Sequence, residues 1–320
     1  MTLSLKSIAT NVLAQLCLLI ICIPANAQQN TIKISTLEEI KAEFSSVPCE
    51  DDKRLAAVQA LFEKAGAPAS DMSVVKYKGV ENLAIRKQGT SAEIMVVGAH
   101  YDKVSDGCGA VDNWTGIVAI AHLYKILRNA SLSKTIIFVA FGKEEKGLIG
   151  SRAMVDAIAK DQLGQYCAMI NIDSLGLSAP QVLDNASSKK LGELAANVAK
   201  EMKMPFSHAS VGNADADSSS FVRKKIPALT IHGLNNEWSS IIHSRNDQLS
   251  KVNPVSVYLG YRLALALMSR LDTSACAAYR WAVYKKAPSN KLFELTVSSL
   301  RSQTAAQPLR WATGWTPSIE

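Results

Sequence analysis

Short apolar runs alternate along the chain with longer amphipathic segments. Four runs that are rich in β-branched residues and apolar on both faces predict buried strands. These strands lie at residues 94–99, 135–141, 167–172 and 227–231. Apolar residues recur at helical spacing in segments 51–65, 116–127, 148–159, 188–203 and 255–271. Residues 72–87 alternate apolar and polar side chains, which is typical of a pair of half-buried strands.

The alternation of buried strands with helices predicts an α/β fold. Strands that are apolar on both faces favour a largely parallel sheet covered by helices on each side. We therefore predict a three-layer α/β/α architecture around a mixed, mostly parallel central sheet. In such a sheet the carboxyl ends of the strands gather at one edge, and ligands bind there.

The first 27 residues have the pattern of a secretory signal peptide. Lys6 provides a short positive start, residues 12–23 are mostly apolar, and the Ala-Asn-Ala sequence at 25–27 is typical of a cleavage site. We expect cleavage before Gln28 and export of the mature protein to the periplasm or the medium.

Charge and hydropathy exclude two classes of partner. The formal net charge of +7 arises from 35 Lys and Arg against 28 Asp and Glu. The basic residues are scattered in small groups, without the long or aromatic-interleaved patch of a nucleic-acid surface. After the signal segment no stretch is apolar and long enough to cross a membrane. We expect neither a nucleic-acid partner nor a membrane contact of the mature form.

Acidic and imidazole side chains follow the ends of the predicted strands. The set consists of His100, Asp102, Asp112, Glu144, Glu145, Asp173 and His243. A common sheet edge would bring them close together. Buried carboxylates in such a cluster repel each other and take up protons unless cations lie among them. Two imidazoles with several carboxylates suit zinc, and a carboxylate between two ions can bridge them.

Five motifs in this set carry a resemblance to a known family. They are HYD at 100–102, GAVDNWTG at 109–116, FGKEEKGLIGS at 141–151, NIDSLG at 171–176 and HSRNDQ at 243–248. In this order they resemble the co-catalytic zinc aminopeptidases, whose superfamily includes bacterial leucyl aminopeptidase, glutamate carboxypeptidases and glutaminyl cyclases. The resemblance covers roughly residues 75–270. It implies a zinc-peptidase catalytic domain over residues 28–272, followed by a C-terminal extension over residues 273–320.

The resemblance implies a role for each residue of the set. One zinc is held by His100, Asp112 and Asp173, and the other by Asp112, Glu145 and His243. Asp112 thus bridges the two ions, and its peptide bond to Asn113 is expected to be cis. Glu144 corresponds to the general base. Asp102 corresponds to the carboxylate that orients the His100 ring, and Asp247 to a supporting acid.

The implied activity is that of a zinc-dependent aminopeptidase with two Zn²⁺ per chain. It would act as a monomer on peptides with a free amino terminus, through a water activated by both metals. A glutaminyl cyclase, a carboxypeptidase-type relative and a catalytically silent binding protein on the same fold remain alternatives. The preferred amino-terminal residue stays open.

Other imidazoles and thiols are interpreted as structural. His232 competes with His243 for the last ligand position because it also follows a predicted strand. His122 and His208 lie in a helix and a loop. Cys108 could serve as a thiolate ligand, but carboxylates already fill the expected site.

The cysteines of an exported protein favour disulfides. Four follow the signal segment, and their three possible pairings are not resolved by sequence: Cys49, Cys108, Cys167 and Cys276. One pairing is disfavoured by the predicted strands. Cys167 begins a strand whose other end carries Asp173, about 20 Å away at ~3.3 Å per residue, whereas Cys108 lies near the metal edge.

Overall fold

A computed structural model describes residues 33–77, 79–212 and 214–280 of the chain. The signal segment and residues 281–320 of the C-terminal extension lie outside the described residues. The described strands are β1 (Met72–Tyr77), β2 (Val80–Lys87), β3 (Ile94–His100), β4 (Thr135–Phe141), β5 (Tyr166–Ile172), β6 (Gln181–Leu183), β7 (Ser207–Ala209) and β8 (Ala228–His232). The described α-helices are α1 (Leu37–Phe44), α2 (Asp51–Lys64), α3 (Thr115–Leu127), α4 (Ile149–Ala157), α5 (Lys189–Glu201), α6 (Asp217–Arg223) and α7 (Pro254–Asp272).

The strands form one mixed sheet in the order β1-β2-β4-β3-β5-β8-β6-β7. Its centre, β4-β3-β5-β8, is parallel throughout. β2 runs antiparallel to β4 and to β1 at one side, and β6 runs antiparallel to β8 at the other. The predicted mixed, mostly parallel sheet is confirmed.

Helices cover both faces of the sheet, which confirms the three layers. Helices α1, α2, α3, α5 and α7 share a large core with one face, while α4 and α6 pack on the other. Adjacent strand residues alternate between the two cores, as Val97 and Val96 of β3 do. All seven residues of β3 are buried, which explains its unbroken apolar pattern. In the described part of the chain, no helix combines the length and hydropathy that crossing a bilayer requires.

The predicted long elements match the structure to within a few residues, whereas four short elements were not predicted. Helices α1 and α6 have eight and seven residues, and β6 and β7 have three each. Helix α1 carries a local start signal, because Thr36 and Glu39 form a reciprocal capping box. The others are too short for hydrophobic periodicity to identify them.

Two disulfides join segments distant in sequence. Cys49, just before α2, pairs with Cys108 in the loop after β3. Cys167 in β5 pairs with Cys276 beyond α7. The Cys108–Cys167 bond that we disfavoured does not form.

His122 of α3 is a buried histidine without a catalytic neighbour. Its side chain is 4% exposed, and its Nδ1 lies 2.8 Å from the Ser35 hydroxyl. The ring meets that of Tyr261 edge to face. Burial lowers the pKa of His122 from 6.5 to about 4, so the folded protein holds this imidazole neutral.

This burial predicts a loss of stability in mild acid. Below pH 6.5 the unfolded chain protonates His122, while the folded chain does so only near pH 4. The free energy of unfolding therefore decreases as the pH is lowered through this window. The decrease is roughly 2 kcal/mol per such histidine between pH 7.5 and 5. Urea unfolding at both pH values should show a smaller difference for His122→Gln than for wild type.

His208→Gln is the control, because this histidine is exposed and pairs with Asp184 on the surface. It should leave the acid sensitivity nearly unchanged. An equal flattening of the pH dependence in both variants would contradict the role given to His122.

Candidate metal centre

The strand ends bring the predicted site residues to one edge of the sheet. His100 ends β3, Glu144 and Glu145 follow β4, and Asp173 follows β5. Asp112 lies in the turn before α3, and His243 lies between β8 and α7. Two groups of three potential ligand atoms share Asp112, and within each group the atoms lie no more than 4.8 Å apart. The groups are His100, Asp112 and Asp173, and Asp112, Glu145 and His243. A third group at the same edge joins His100, Glu144 and Glu145 without Asp112.

The carboxylate of Asp112 lies between two imidazole rings. Its Oδ1 is 3.0 Å from Nε2 of His100, and its Oδ2 is 3.0 Å from Nε2 of His243. On one side His100 Nε2 is 3.5 Å from Asp173 Oδ1. On the other, His243 Nε2 is 3.2 Å from Glu145 Oε2. Each oxygen of Asp112 thus faces a different group.

These spacings and donors suit zinc. With bonds of about 2.0–2.1 Å in tetrahedral geometry, ligand atoms around zinc lie roughly 3.3 Å apart. The second oxygen of Glu145, Oε1, is buried without a hydrogen-bond partner and is therefore available to an ion. The residues fit a pair of ions bridged by Asp112, while their roles as ligands remain a prediction.

Asp102 connects the loops that follow β3 and β4. Its Oδ1 accepts a hydrogen bond from the backbone N–H of Glu144 (2.9 Å), and its Oδ2 accepts one from Glu145 (3.2 Å). The ring Nδ1 of His100 lies 3.1 Å from the Asp102 carbonyl and 3.7 Å from its carboxylate. Asp102 therefore contacts the His100 ring as expected, and it also fixes both glutamates relative to that ring.

Asp247 stabilises the turn that carries the shared carboxylate. Its side chain is 2% exposed and accepts hydrogen bonds from the backbone N–H groups of Val111 (2.7 Å) and Asp112 (3.1 Å). Its backbone carbonyl accepts from the N–H of Cys108 (2.8 Å). Asp247 belongs to neither ligand group, in keeping with the supporting role expected for it.

Asn113 ties the same turn to the end of β5. The Asp112–Asn113 bond is cis, as predicted. The Asn113 amide donates to the carbonyl of Ile172 (2.9 Å), and its oxygen accepts from the N–H groups of Gly116 and Ser174. Asp112 and Asp173 are thereby held at a fixed separation.

Non-glycine residues with positive φ surround the site. Lys143, Ser174 and His243 have φ values of 55°, 52° and 57°. Such residues are uncommon and are concentrated at functional sites. Lys143 and Ser174 turn the chain beside Glu144 and Asp173, just after β4 and β5 end, and His243 is itself a predicted ligand.

Burial and mutual repulsion set the charges in the cluster. Burial raises the pKa of Glu144 well above its usual range, and nearby carboxylates, including Asp217, add to the effect. Hydrogen bonds that the His243 ring donates to the carboxylates of Asp112 and Glu145 raise its pKa to about 11. Burial opposes charge on Asp112, but both imidazoles outweigh it and hold its pKa below the usual range. Cations between these atoms would supply the positive charge that the carboxylates require.

Two buried charged residues near the site were not identified from the sequence. Asp217 begins α6 and is fully buried, and its burial raises the pKa to about 7. It follows no strand, so the strand-end rule gave no signal for it. Arg54 of α2 is also fully buried. Its position on an otherwise apolar helix face was the only available signal.

The competing side chains lie outside both ligand groups. His232 ends β8 and is buried, and it takes no part in either group. His122 and His208 likewise belong to neither group. Cys108 is bonded to Cys49 and presents no thiolate. The structural interpretation of these residues agrees with the fold.

The chain belongs to Peptidase family M28, which residues 82–268 match. A probable lipoprotein aminopeptidase of Mycobacterium tuberculosis, LpqL, is 35% identical over 109 residues, covering 34% of this chain and 22% of the relative. The matches span between about a fifth and two fifths of the length of the curated relatives.

Solved structures share the fold. A zinc aminopeptidase from Bacillus subtilis superposes with a TM-score of 0.55 at 22% identity, covering 62% of this chain and 52% of that one. A glutaminyl cyclase from an Acidobacteriales bacterium gives a TM-score of 0.64 at 16% identity, with 78% of this chain and 98% of the cyclase covered. Both branches of the superfamily are thus compatible with this architecture.

The hydrogen bonds of Asp102 predict a specific defect in Asp102→Asn. An amide has one accepting oxygen, so it cannot accept from Glu144 and Glu145 in the same way. Zinc affinity, measured by competition with a chromogenic chelator, should fall about 10–100-fold. Asp106→Asn is the matched control, because Asp106 is exposed in the same loop. Equal losses of affinity in the two variants would contradict the role of Asp102.

Proposed function

We propose that the protein is an exported aminopeptidase that uses two zinc ions to release amino-terminal residues from peptides. The observation that carries this proposal is the position of Asp112, whose two carboxylate oxygens each face a different imidazole at 3.0 Å. A shared carboxylate of this kind is the expected element of a two-metal hydrolytic site.

The ligand assignment follows the two groups. His100, Asp112 and Asp173 hold one ion, and Asp112, Glu145 and His243 hold the other. Glu144 groups with His100 and Glu145 but not with Asp112, and it is assigned as the general base because it occupies that position in the family motif. Its backbone N–H donates to the Asp102 carboxylate at 2.9 Å, which fixes its backbone beside the cluster.

The chemistry divides between the metals and Glu144. When bound, zinc polarises a carbonyl and lowers the pKa of water, which favours hydrolysis near neutral pH. Glu144 takes a proton from the attacking water and delivers it to the leaving amine.

Export is supported by the cysteines. Two disulfides link the described residues, and stable disulfides are typical of oxidising compartments. This agrees with the signal pattern of residues 1–27.

A glutaminyl cyclase activity is the second candidate. It is favoured by one observation, the coverage of 98% of a cyclase chain at a TM-score of 0.64. The curated relatives of higher sequence identity are aminopeptidases, and this favours peptide hydrolysis.

A substrate panel separates these functions. Leucyl, alanyl and glutaminyl anilides should release the aniline, whereas their N-acetylated forms should not react. Activity should disappear with a chelator and return with zinc. A glutaminyl peptide converted to its pyroglutamyl form with loss of ammonia, and no cleavage of any anilide, would establish the cyclase instead. No reaction with any of these substrates would favour the remaining alternative, a catalytically silent binding protein.

The two adjacent glutamates should fail in different ways when substituted. Glu144→Gln keeps the shape but cannot accept a proton, so it should retain about two zinc ions per chain while kcat falls 10²–10⁴-fold. KM should change much less, because the group acts in the transition state. Glu145→Gln removes an anionic ligand, so zinc content should fall, with partial recovery of activity in added zinc.

Elemental analysis and kinetics on a single leucyl anilide measure both effects. Loss of metal in Glu144→Gln with full metal content in Glu145→Gln would reverse the two roles. Unchanged turnover in both variants would refute the metal centre as the catalytic site.

A further inference from the structure

Residues 101–111 form a connecting segment without strand pairing that joins two predicted zinc ligands. His100 ends β3 immediately before it, and Asp112 follows it. The 3.0 Å contact between His100 Nε2 and Asp112 Oδ1 therefore depends on how this segment is folded back on itself. The inference below rests on the proposed two-zinc function.

Arg54 of α2 binds the backbone of this segment near both of its ends. Its guanidinium donates to the carbonyls of Tyr101, Cys108 (2.9 Å) and Gly109 (3.2 Å). A further N–H donates to the carbonyl of Pro48 (3.0 Å), just before the helix. All four acceptors are backbone oxygens, and three of them belong to the segment.

The contact is close as well as extensive. A Cβ on Gly109 would lie 3.2 Å from Nη1 of Arg54 and 2.8 Å from the carbonyl of Asp112. Gly109 has a φ of 57°, in the left-handed region that favours glycine. The guanidinium also lies over the ring of Trp114, 5.4 Å from its centre. The segment is thus packed tightly against a single buried cation.

A buried cation needs compensation, and the site supplies it. Arg54 is 0% exposed, and burial of an unpaired charge is strongly unfavourable. Its hydrogen-bond acceptors among the described residues are backbone carbonyls, and the charges of Asp51, Asp102, Asp112 and Asp247 interact with it through space. Three of these acids belong to the metal cluster or support it. The charge of Arg54 is therefore compensated by the acids of the predicted site, which the apolar core could not do.

Two further contacts connect segment 101–111 to α2 and the residues just before it. Each of them holds the segment at a single position. The Cys49–Cys108 disulfide holds the segment near its end. The Asp51 carboxylate accepts from the N–H of Lys103 (3.1 Å) near its start. Of the three links, only the Arg54 guanidinium joins residues 101, 108 and 109 through one planar group.

We propose that Arg54 is a positioning residue of the metal centre. By binding the carbonyls of Tyr101, Cys108 and Gly109, it sets the distance between His100 and Asp112 and so the affinity of the site for zinc. It does not touch the substrate or the reacting atoms.

Two substitutions test the proposal. Arg54→Lys keeps the charge but replaces a planar fork with a single ammonium group, which cannot reach carbonyls at both ends. Arg54→Met also removes the charge. The control is Arg128→Met, because Arg128 donates to the Ala65 carbonyl at the opposite end of α2. All three variants lose arginine–carbonyl bonds that connect α2 or its flanking residues to another segment.

Zinc affinity of the metal-free full chain is the primary measurement, by chelator competition under non-reducing conditions. Both Arg54 variants should bind zinc about 10–100-fold more weakly, the usual effect of losing support behind a ligand. The visible spectrum of the cobalt-substituted protein should shift, since it reports ligand geometry. In saturating zinc, kcat should fall more than KM changes. Arg128→Met should lower Tm but leave zinc affinity and the cobalt spectrum as in wild type.

The outcomes separate this inference from the proposed function. If Arg54→Lys, folded by circular dichroism, keeps wild-type zinc affinity and cobalt spectrum, Arg54 is only structural and the proposal is wrong. The same conclusion follows if Arg128→Met weakens zinc binding equally. If wild type binds zinc but cleaves no anilide, the aminopeptidase function fails, while the zinc affinities still decide the role of Arg54.

Discussion

Repulsion among buried carboxylates is the constraint on which this edge of the sheet depends. Asp112, Asp173, Glu144 and Glu145 converge where the parallel strands end, and burial together with neighbouring carboxylates raises the pKa of both glutamates. The protein counters this with imidazoles against Asp112 and backbone N–H groups against Asp102 and Asp247. Each of these contacts also fixes one loop to another. The interactions that compensate the charges are therefore also the ones that set the loop geometry.

Much of this arrangement could be predicted because strand ends are visible in the sequence. Runs such as 135–141 are apolar on both faces, and this property identifies a central parallel strand and the point where it ends. The polar residues directly after such runs, including Glu144 and Asp173, must then lie at a common edge. The assignment of individual roles came from the motifs of the family and not from strand periodicity.

The remaining features depend on contacts that no local pattern encodes. Arg54 interrupts the apolar face of its helix, but three of its four acceptors lie about fifty residues away in sequence. Asp217 begins a helix of seven residues, too short for its periodicity to be recognised. Disulfide pairing likewise requires the path of the chain, because four cysteines allow three connectivities. The sequence thus pointed to the polar residues that meet at the sheet edge, but not to Arg54 and Asp217 beside them.

The separation of the ligands along the chain has a thermodynamic consequence. His100 and His243 are far apart in sequence, and no single segment of the chain contains the predicted ligand set of either ion. Zinc bound there would therefore favour the native chain over the unfolded one, by RT ln(1 + [Zn]/Kd), or about 4 kcal/mol at a thousandfold excess over Kd. For the exported protein proposed above, the free zinc of the surroundings would then determine the fraction of chains that is unfolded and open to proteases.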